Sequence, residues 1–193
     1  MSLIDKDEAL IIAALKGSAY AWEKLVKRYE SKIYNHGLRL TGSSSDAMDL
    51  MQEVFLGVYR NLHRFRGDAK FSSWIFRIAH NKAVDMNRRK RLMTSPLKFF
   101  ADDGDDGFEK FPGKKELEPE NRLGNQEQNV HVLKLLSELN SDQRSIVELK
   151  VFQSLTFDEI AELQDDSKNT VKTRFYSALK KMKVVSEEQN VLS

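Results

Sequence analysis

The chain has 193 residues, enough for one medium domain or two small ones, and its 40% hydrophobic and 31% charged residues are typical of a folded protein. It contains no cysteine, which excludes a disulfide framework and a thiolate metal site. No apolar run is long enough to span a bilayer, and the start of the chain lacks the basic leader of a signal peptide. We therefore expect a cytoplasmic protein with no direct membrane insertion.

The net charge of +2 is unevenly distributed along the chain. Residues 1–95 carry 17 basic and 10 acidic side chains, residues 96–126 carry 5 and 8, and residues 127–193 carry 9 and 11. The middle stretch also contains all three prolines and four of the nine glycines, and it shows neither helical nor strand periodicity. A structureless stretch of this length is unusual inside a compact domain. We therefore predict two domains, 1–95 and 127–193, joined by a flexible linker, 96–126.

The first domain shows helical periodicity in four successive segments. In chain order they are DEALIIAALKGS, AWEKLVKRYESKIYNHGLRL, SDAMDLMQEVFLGVYRNLHRF and FSSWIFRIAHNKAVDMNRRKR. In the third segment, steps of three and four residues place an apolar stripe on Met48, Met51, Phe55, Val58 and Leu62. After the linker, EQNVHVLKLLSEL and SDQRSIVELKVF continue the helical pattern, and no alternating strand pattern is present. The predicted fold class is all-α, with two small helical domains.

Residues 156–183, TFDEIAELQDDSKNTVKTRFYSALKKMK, have the pattern of a helix-turn-helix. Thr156 with Glu159 three residues later forms a capping-box pattern, which predicts a short helix beginning at Phe157. The polar turn QDDS follows, and Asp166 or Ser167 can cap the next helix.

The second helix of this motif combines an apolar face with an unusual concentration of positive charge. Residues 167–183 carry six Lys or Arg and no acid. At helical spacing, one face carries Val171, Phe175, Ala178, Leu179 and Met182. The opposite face carries Thr173, Tyr176, Ser177 and Lys180. A recognition helix in the DNA major groove needs polar side chains to read base edges and cations to hold phosphates. The alternative is a solvated amphipathic helix with a basic face.

The first domain ends in a segment where aromatic and basic side chains alternate. Phe65, Phe71, Trp74 and Phe76 lie among several Arg and Lys residues, and residues 77–91 carry six bases against one acid. Unstacked bases of a single strand lie on aromatic rings while cations follow the backbone, so this pattern suits single-stranded nucleic acid. The alternative is that these aromatics are core residues. We expect Trp74 and Ile78 to be partly structural, and the loop RFRGDAK to be the better candidate for a base pocket.

Together these segments resemble the sigma factors of the extracytoplasmic-function group, sigma-70 family group 4, which direct bacterial RNA polymerase to promoters. DAMDLMQEVFLGVYRNL resembles region 2.2, FRGDAKFSSWIFRIAHNKAVDMNRRKR resembles regions 2.3 and 2.4, and LTFDEIAELQDDSKNTVKTRFYSALKKM resembles region 4.2. The resemblance covers nearly the whole chain. It implies that the first domain docks on core RNA polymerase and opens promoter DNA, while the second reads duplex DNA.

The resemblance also assigns site residues by position. Asp49, Gln52 and Glu53 match positions that dock on the polymerase, although spacing alone favours an ordinary solvated face. The positions that melt and read the −10 element as an opened single strand are Phe65, Arg66, Lys70, Phe71, Trp74, Arg77, Asn81, Lys82, Asn87 and Arg88. The positions that read the −35 element are Arg144, Lys168, Thr170, Lys172, Thr173, Arg174, Tyr176, Ser177 and Lys180.

The family also implies a partner, an anti-sigma factor that holds both domains inactive until a stress signal arrives. The acidic stretch DDGDDGFE of the linker would suit a channel that holds polyanions. The same composition is equally consistent with a disordered spacer that only increases solubility.

The region 4.2 segment departs from the family pattern in its turn. A Gly followed by an apolar residue is usual there, and this chain has Asp165 and Asp166 instead. Asn169 replaces a second Gly, and Ser177 replaces a basic residue that is common in the family. The acidic pair should repel phosphate unless it caps the helix.

Two other classes of function remain open from the sequence. A stand-alone helix-turn-helix regulator explains residues 127–193 but gives the aromatic and basic segment no purpose. An enzyme lacks support, because the four histidines show no ligand spacing and no glycine-rich phosphate loop or nucleophile motif is present. We therefore expect no catalytic residues, no metal site and no cofactor.

Overall fold

The computed structural model describes residues 3–94 and 126–191, with side chains described for 7–90 and 130–187. These residues are helical with short connections and belong to two compact units, Met1–Phe100 and Ala101–Ser193. The predicted all-α class is therefore confirmed for the described residues. The predicted linker with its acidic stretch lies outside them, apart from Gln126, where the first helix of the second unit begins. No helix within the described ranges combines the length and apolar character needed to cross a membrane.

The described part of the first unit, residues 3–94, contains four helices and a 3₁₀ turn. Their bounds are α1 Leu3–Leu15, α2 Ala19–Thr41, α3 Ser44–Asn61, the 3₁₀ turn Leu62–Arg64 and α4 Phe71–Thr94.

Local capping chemistry fixes the ends of the two helices at the centre of this unit. The Ser18 hydroxyl caps α2 and the Ser43 hydroxyl caps α3, each accepting a backbone N–H of the first turn at 3.3 Å. Gly42 ends α2 at φ 72°, a left-handed conformation that glycine adopts without steric cost.

The two helices approach closely at Gly37. A Cβ at this position would lie 3.0 Å from the Ala47 Cα, a distance that the backbone of α3 could not accept without moving. The absence of a side chain at Gly37 therefore fixes how near α3, with its exposed polar face, lies to α2.

The buried stripe of α3 differs from the predicted one. Ala47, Leu50, Val54 and Val58 are the buried residues, whereas Met48, Met51 and Phe55 are half-buried at its edge. The predicted helical period was correct, but the buried stripe is centred about one residue closer to the N-terminus than the predicted stripe. The reason is that α3 packs against both α2 and α4. Trp74 and Ile78 pack at the edge of the same core, as expected.

The second unit contains four helices and one π-helical turn. Their bounds are α5 Gln126–Ser137, α6 Ser141–Val147, the π-helical turn Glu148–Phe152, α7 Phe157–Gln164 and α8 Lys168–Val191.

Helix α8 is the common packing partner of this unit, in contact with α5, α6 and α7. Its Val171, Phe175 and Ala178 join a core with Leu136 and Ile146. The orientation of α8 is therefore set by all three other helices.

Two histidines are buried in the core of the first unit. His36 of α2 is fully buried and its ring lies 5.4 Å from that of Phe76, and His80 of α4 is 6% exposed. Burial disfavours the imidazolium form and nearby His36 opposes a second positive charge, so the pKa of His80 is lowered to about 4.

This depressed pKa predicts acid destabilisation of the first unit. Below the ordinary histidine pKa, His80 is protonated in the unfolded chain but stays neutral in the folded chain. Stability is therefore lost as the pH falls toward about 4. We expect the free energy of unfolding to drop by about 2 kcal/mol between about pH 7 and about pH 5 from His80 alone. Urea titrations followed by tryptophan fluorescence measure it, because both tryptophans, Trp22 and Trp74, lie in this unit.

The matched control for this measurement is His80→Gln, whose side chain does not titrate. The variant should lose that part of the pH dependence, whatever its absolute stability. A pH dependence identical in the two proteins would contradict the assignment.

Candidate nucleic-acid interface

The predicted helix-turn-helix is present, and its caps are those expected. Thr156 Oγ1 accepts the Glu159 N–H at 3.2 Å, while the Thr156 N–H donates to Glu159 Oε2 at 2.7 Å, which completes the capping box. Asp165 ends α7 at φ 55°, a left-handed conformation usual for glycine, which is the residue that the family pattern has there. Ser167 Oγ accepts the Thr170 N–H at 3.0 Å and caps α8.

The outward face of α8 has the predicted composition. Thr173, Tyr176, Ser177 and Lys180 are exposed, and Val171, Phe175 and Ala178 are buried on the opposite side. One predicted core residue is wrong, because Leu179 is 38% exposed. Polar side chains thus occupy the centre of the exposed face, the arrangement that reading of base edges requires.

The sequence analysis missed Phe157, the first residue of α7. Its ring lies 5.5 Å from the Phe175 ring and 6.4 Å from the Tyr176 ring. The ammonium groups of Lys150 and Lys172 lie 4.8 Å and 5.9 Å from its centroid. Phe157 therefore orients two expected DNA contacts, Lys172 and Tyr176, from a neighbouring helix.

Two cations of α8 are paired with carboxylates from outside the helix. Lys168 Nζ lies 2.7 Å from Asp158 Oδ2 of α7. Arg174 Nη1 lies 2.5 Å from Asp166 Oδ2 in the turn and 3.8 Å from Asp142 Oδ2 of α6. Asp166 was expected either to repel phosphate or to cap α8. In the structure it instead binds Arg174, a cation of α8.

Arg144 is buried, unlike the other residues predicted for this surface. It was assigned to −35 recognition, but it is 3% exposed. Its Nε donates to the Leu136 carbonyl at 2.9 Å and its Nη2 donates to the Leu139 carbonyl at 2.7 Å. Leu136 lies in the last turn of α5 and Leu139 in the connection that follows, so in this structure Arg144 joins α6 to the end of α5 and to that connection rather than facing solvent.

The loop before α4 brings three predicted aromatic residues into mutual contact. Ring centroids are 5.4 Å apart for Phe65 and Phe71, 5.4 Å for Phe65 and Trp74, and 5.6 Å for Phe71 and Trp74. Phe71, which was assigned to −10 recognition, is 4% exposed and packs on Tyr29 in this structure. Phe65 and Trp74 are half-buried, whereas Arg66 and Lys70 are exposed.

The predicted residues of α4 lie mainly on its solvent side. Arg77, Asn81 and Arg88 are exposed, and Lys82 and Asn87 are half-buried. Lys82 Nζ lies 3.0 Å from Glu53 Oε2 of α3, one of the residues assigned to polymerase docking. The hydrogen bond and the charge of Lys82 lower the pKa of Glu53, with smaller contributions from Arg60 and Arg89.

The three docking residues share one exposed face of α3. Asp49, Gln52 and Glu53 are all exposed, at spacings of three and four residues. The face continues to Leu56 and Tyr59, which are 49% and 66% exposed, and the Tyr59 ring lies 5.2 Å from that of Trp22. A polar stripe that runs into an apolar patch suits contact with another protein.

Comparison with known proteins identifies the class to which both units belong. Residues 25–92 match the family model for sigma-70 region 2, and residues 130–182 match the model for sigma-70 region 4. Both units are therefore those of a sigma factor of the sigma-70 family.

Relatives place the chain within that family. It is 30% identical over 177 residues to the RNA polymerase sigma-H factor of Pseudomonas aeruginosa, covering 90% of each protein. It is 32% identical over 175 residues to the ECF RNA polymerase sigma-E factor of Escherichia coli strain K12, covering 89% of this chain and 90% of the relative. The chain belongs to the extracytoplasmic-function group of sigma factors.

Two solved structures share the fold. CnrH in complex with the cytosolic domain of CnrY matches with a TM-score of 0.64 and 21% identity, over 95% of this chain and 98% of that one. The sigma factor RpoE of Bartonella quintana, in complex with the anti-sigma factor NepR, matches with a TM-score of 0.62 and 17% identity, over 86% and 96%.

Family membership decides between the functions that the sequence left open. Sigma factors are transcription-initiation factors that bind core RNA polymerase and promoter DNA. Since the matches extend over both units, the first unit is not an unrelated sensor domain of a stand-alone regulator.

The buried position of Arg144 predicts a structural role that can be separated from DNA contact. Arg144→Met keeps much of the side-chain volume but leaves two carbonyls without their donor, which we expect to destabilise the second unit by about 3 kcal/mol. Hydrogen exchange of the full chain should accelerate in peptides from residues 130–187. Lys134→Met, an exposed change on α5, is the control. Unchanged exchange together with weaker DNA binding would restore Arg144 as a DNA contact.

Proposed function

We propose that the two units divide promoter recognition between them. Residues 1–95 dock on core RNA polymerase and capture the opened strand, residues 127–193 read the upstream duplex, and residues 96–126 connect them. The observation that carries the proposal is the exposed face of α8, where Thr173, Tyr176 and Ser177 are flanked by cations at the end of a capped helix-turn-helix.

The docking surface in this proposal is the face of α3 that carries Asp49, Gln52 and Glu53. All three side chains are exposed, and carboxylates at helical spacing present a stripe of negative charge to a partner helix. The neighbouring Leu56 and Tyr59 add exposed apolar area to the same contact.

Strand capture in this proposal uses the loop before α4 and the exposed side of that helix. Arg66, Lys70, Arg77 and Arg88 are exposed and suited to phosphate, and the half-buried rings of Phe65 and Trp74 offer surfaces for an extruded base. Extrusion of a base costs a few kcal/mol, which contacts in the pocket must offset. Phe71 supports this pocket from beneath through its contacts with both rings.

We further propose that an anti-sigma factor holds the protein inactive. The structural neighbour from Bartonella quintana was solved with such a partner, and its fold extends over most of this chain. In the proposed complex the partner would cover Leu56 and Tyr59, which are two of the exposed apolar residues of the first unit. The protein acts in the cytoplasm, where polymerase and DNA are, and supplies no chemistry of its own.

Docking is tested by size-exclusion chromatography with core RNA polymerase. The wild-type chain should move to the polymerase peak, and the double variant Asp49→Lys, Glu53→Lys should not, because it places cations where carboxylates are required. The matched control is Glu23→Lys, Glu30→Lys, the same charge change at exposed positions of α2. Co-elution of the docking variant at wild-type strength would show that α3 is not the docking helix.

Phosphate contact by the second unit is tested with Lys172→Ala. Loss of one lysine–phosphate contact should weaken duplex binding and flatten the plot of log K against log salt by about 0.9. The measurement is fluorescence anisotropy of a promoter duplex selected from a random pool by the holoenzyme, titrated at several salt concentrations. Lys134→Ala, on α5, should leave the slope unchanged. An unchanged slope for Lys172→Ala would remove this residue from the DNA interface.

A further inference from the structure

Arg174 and Lys172 occupy equivalent positions on opposite edges of the α8 face. They flank Thr173, so their side chains leave the helix about 200° apart. Both were assigned to −35 recognition, and among the described residues only Arg174 is paired with carboxylates. Lys172 lies over the Phe157 ring, whereas Arg174 lies 2.5 Å from Asp166 and 3.8 Å from Asp142.

The contacts of Arg174 connect three elements of the second unit. Asp142 belongs to the first turn of α6, Asp166 to the turn of the helix-turn-helix, and Arg174 to the second turn of α8. The side chains of Arg174 and Asp166 are 36% and 27% exposed, so this pair is more shielded from water than the Lys168–Asp158 pair, at 48% and 69%. A guanidinium beside two carboxylates has little tendency to leave them for a phosphate.

We propose that Asp166 is a positioning residue that, with Asp142, holds Arg174 against the turn and removes it from the cations that bind DNA. The inference rests on the proposed function and changes the role of Arg174 in that function. Phosphate is then held along the Lys172 edge and not along the Arg174 edge.

The direct test replaces Asp166 by Asn, which keeps the shape of the side chain and removes its charge. Arg174 then becomes available for one further phosphate contact. We expect the salt plot for the selected promoter duplex to steepen by about 0.9, and binding to tighten roughly eightfold at about 0.1 M salt. Asp166→Glu, which keeps the carboxylate, should restore the wild-type slope.

Removal of any acid near DNA reduces repulsion, so two controls isolate the role of Arg174. Asp165→Asn makes the same charge change one residue away, at an exposed position where Asn tolerates the left-handed conformation. The gain in duplex affinity for Asp165→Asn should be clearly smaller than the gain for Asp166→Asn. In an Arg174→Gln background, Asp166→Asn should give no more gain than Asp165→Asn does. Three results would each overturn the proposal: equal gains for the two acids, no gain for Asp166→Asn, or a gain for Asp166→Asn in the Arg174→Gln background that exceeds the gain of Asp165→Asn.

A measurement without DNA tests the ion pair itself. In the ¹⁵N spectrum of the arginine side chains, rotation of the Arg174 guanidinium should be slow in the wild-type chain and faster in Asp166→Asn. Equal rotation in both would also overturn the proposal. If Lys172→Ala leaves the slope unchanged, Lys172 is not part of the proposed DNA interface, and this spectrum still decides whether Asp166 holds Arg174.

Discussion

Repulsion between like charges is the constraint on which both surfaces of this protein depend. A helix that holds a polyanion must concentrate cations, and their mutual repulsion disfavours the free folded chain. Here carboxylates from neighbouring elements lie beside several of these cations, in the pairs Glu53–Lys82, Asp46–Lys90, Asp158–Lys168 and Asp166–Arg174. Exposed pairs of this kind contribute little stability individually. In the proposed function, the two pairs with both partners well exposed, Glu53–Lys82 and Asp158–Lys168, can therefore be exchanged for DNA phosphate at small cost, whereas Asp46 and Asp166 are more shielded from water.

The side chains that orient these surfaces are mostly not the ones that touch a partner. Phe157 lies beneath Lys172 and Tyr176, and Phe71 lies beneath Phe65 and Trp74. In both units a buried or half-buried ring from the core thus supports side chains at the rim, where a base or a phosphate is expected. Each ring restricts the conformations of the groups above it, which lowers the entropy that binding must remove.

How much of the structure the sequence predicted depends on how far apart the interacting residues lie along the chain. The capping box at Thr156, the Ser167 cap and the polar face of α8 depend on residues within a few positions of one another, and all three were predicted. The burial of Arg144 and Phe71 was not foreseen, because it is decided by packing against other helices. The ion pairs between helices were missed for the same reason, since Lys82 and Glu53 are 29 positions apart.

The contact between α3 and α4 has a consequence for how such proteins diverge and how they can be recombined. Glu53 faces the polymerase in the proposed function, and it is also the partner of Lys82, which faces the opened strand. A chimera that receives α3 from a relative receives a new residue at position 53 but keeps the old one at position 82. Transfer of α3 together with α4 keeps this contact between the two proposed surfaces, whereas transfer of α3 alone replaces one of its two partners.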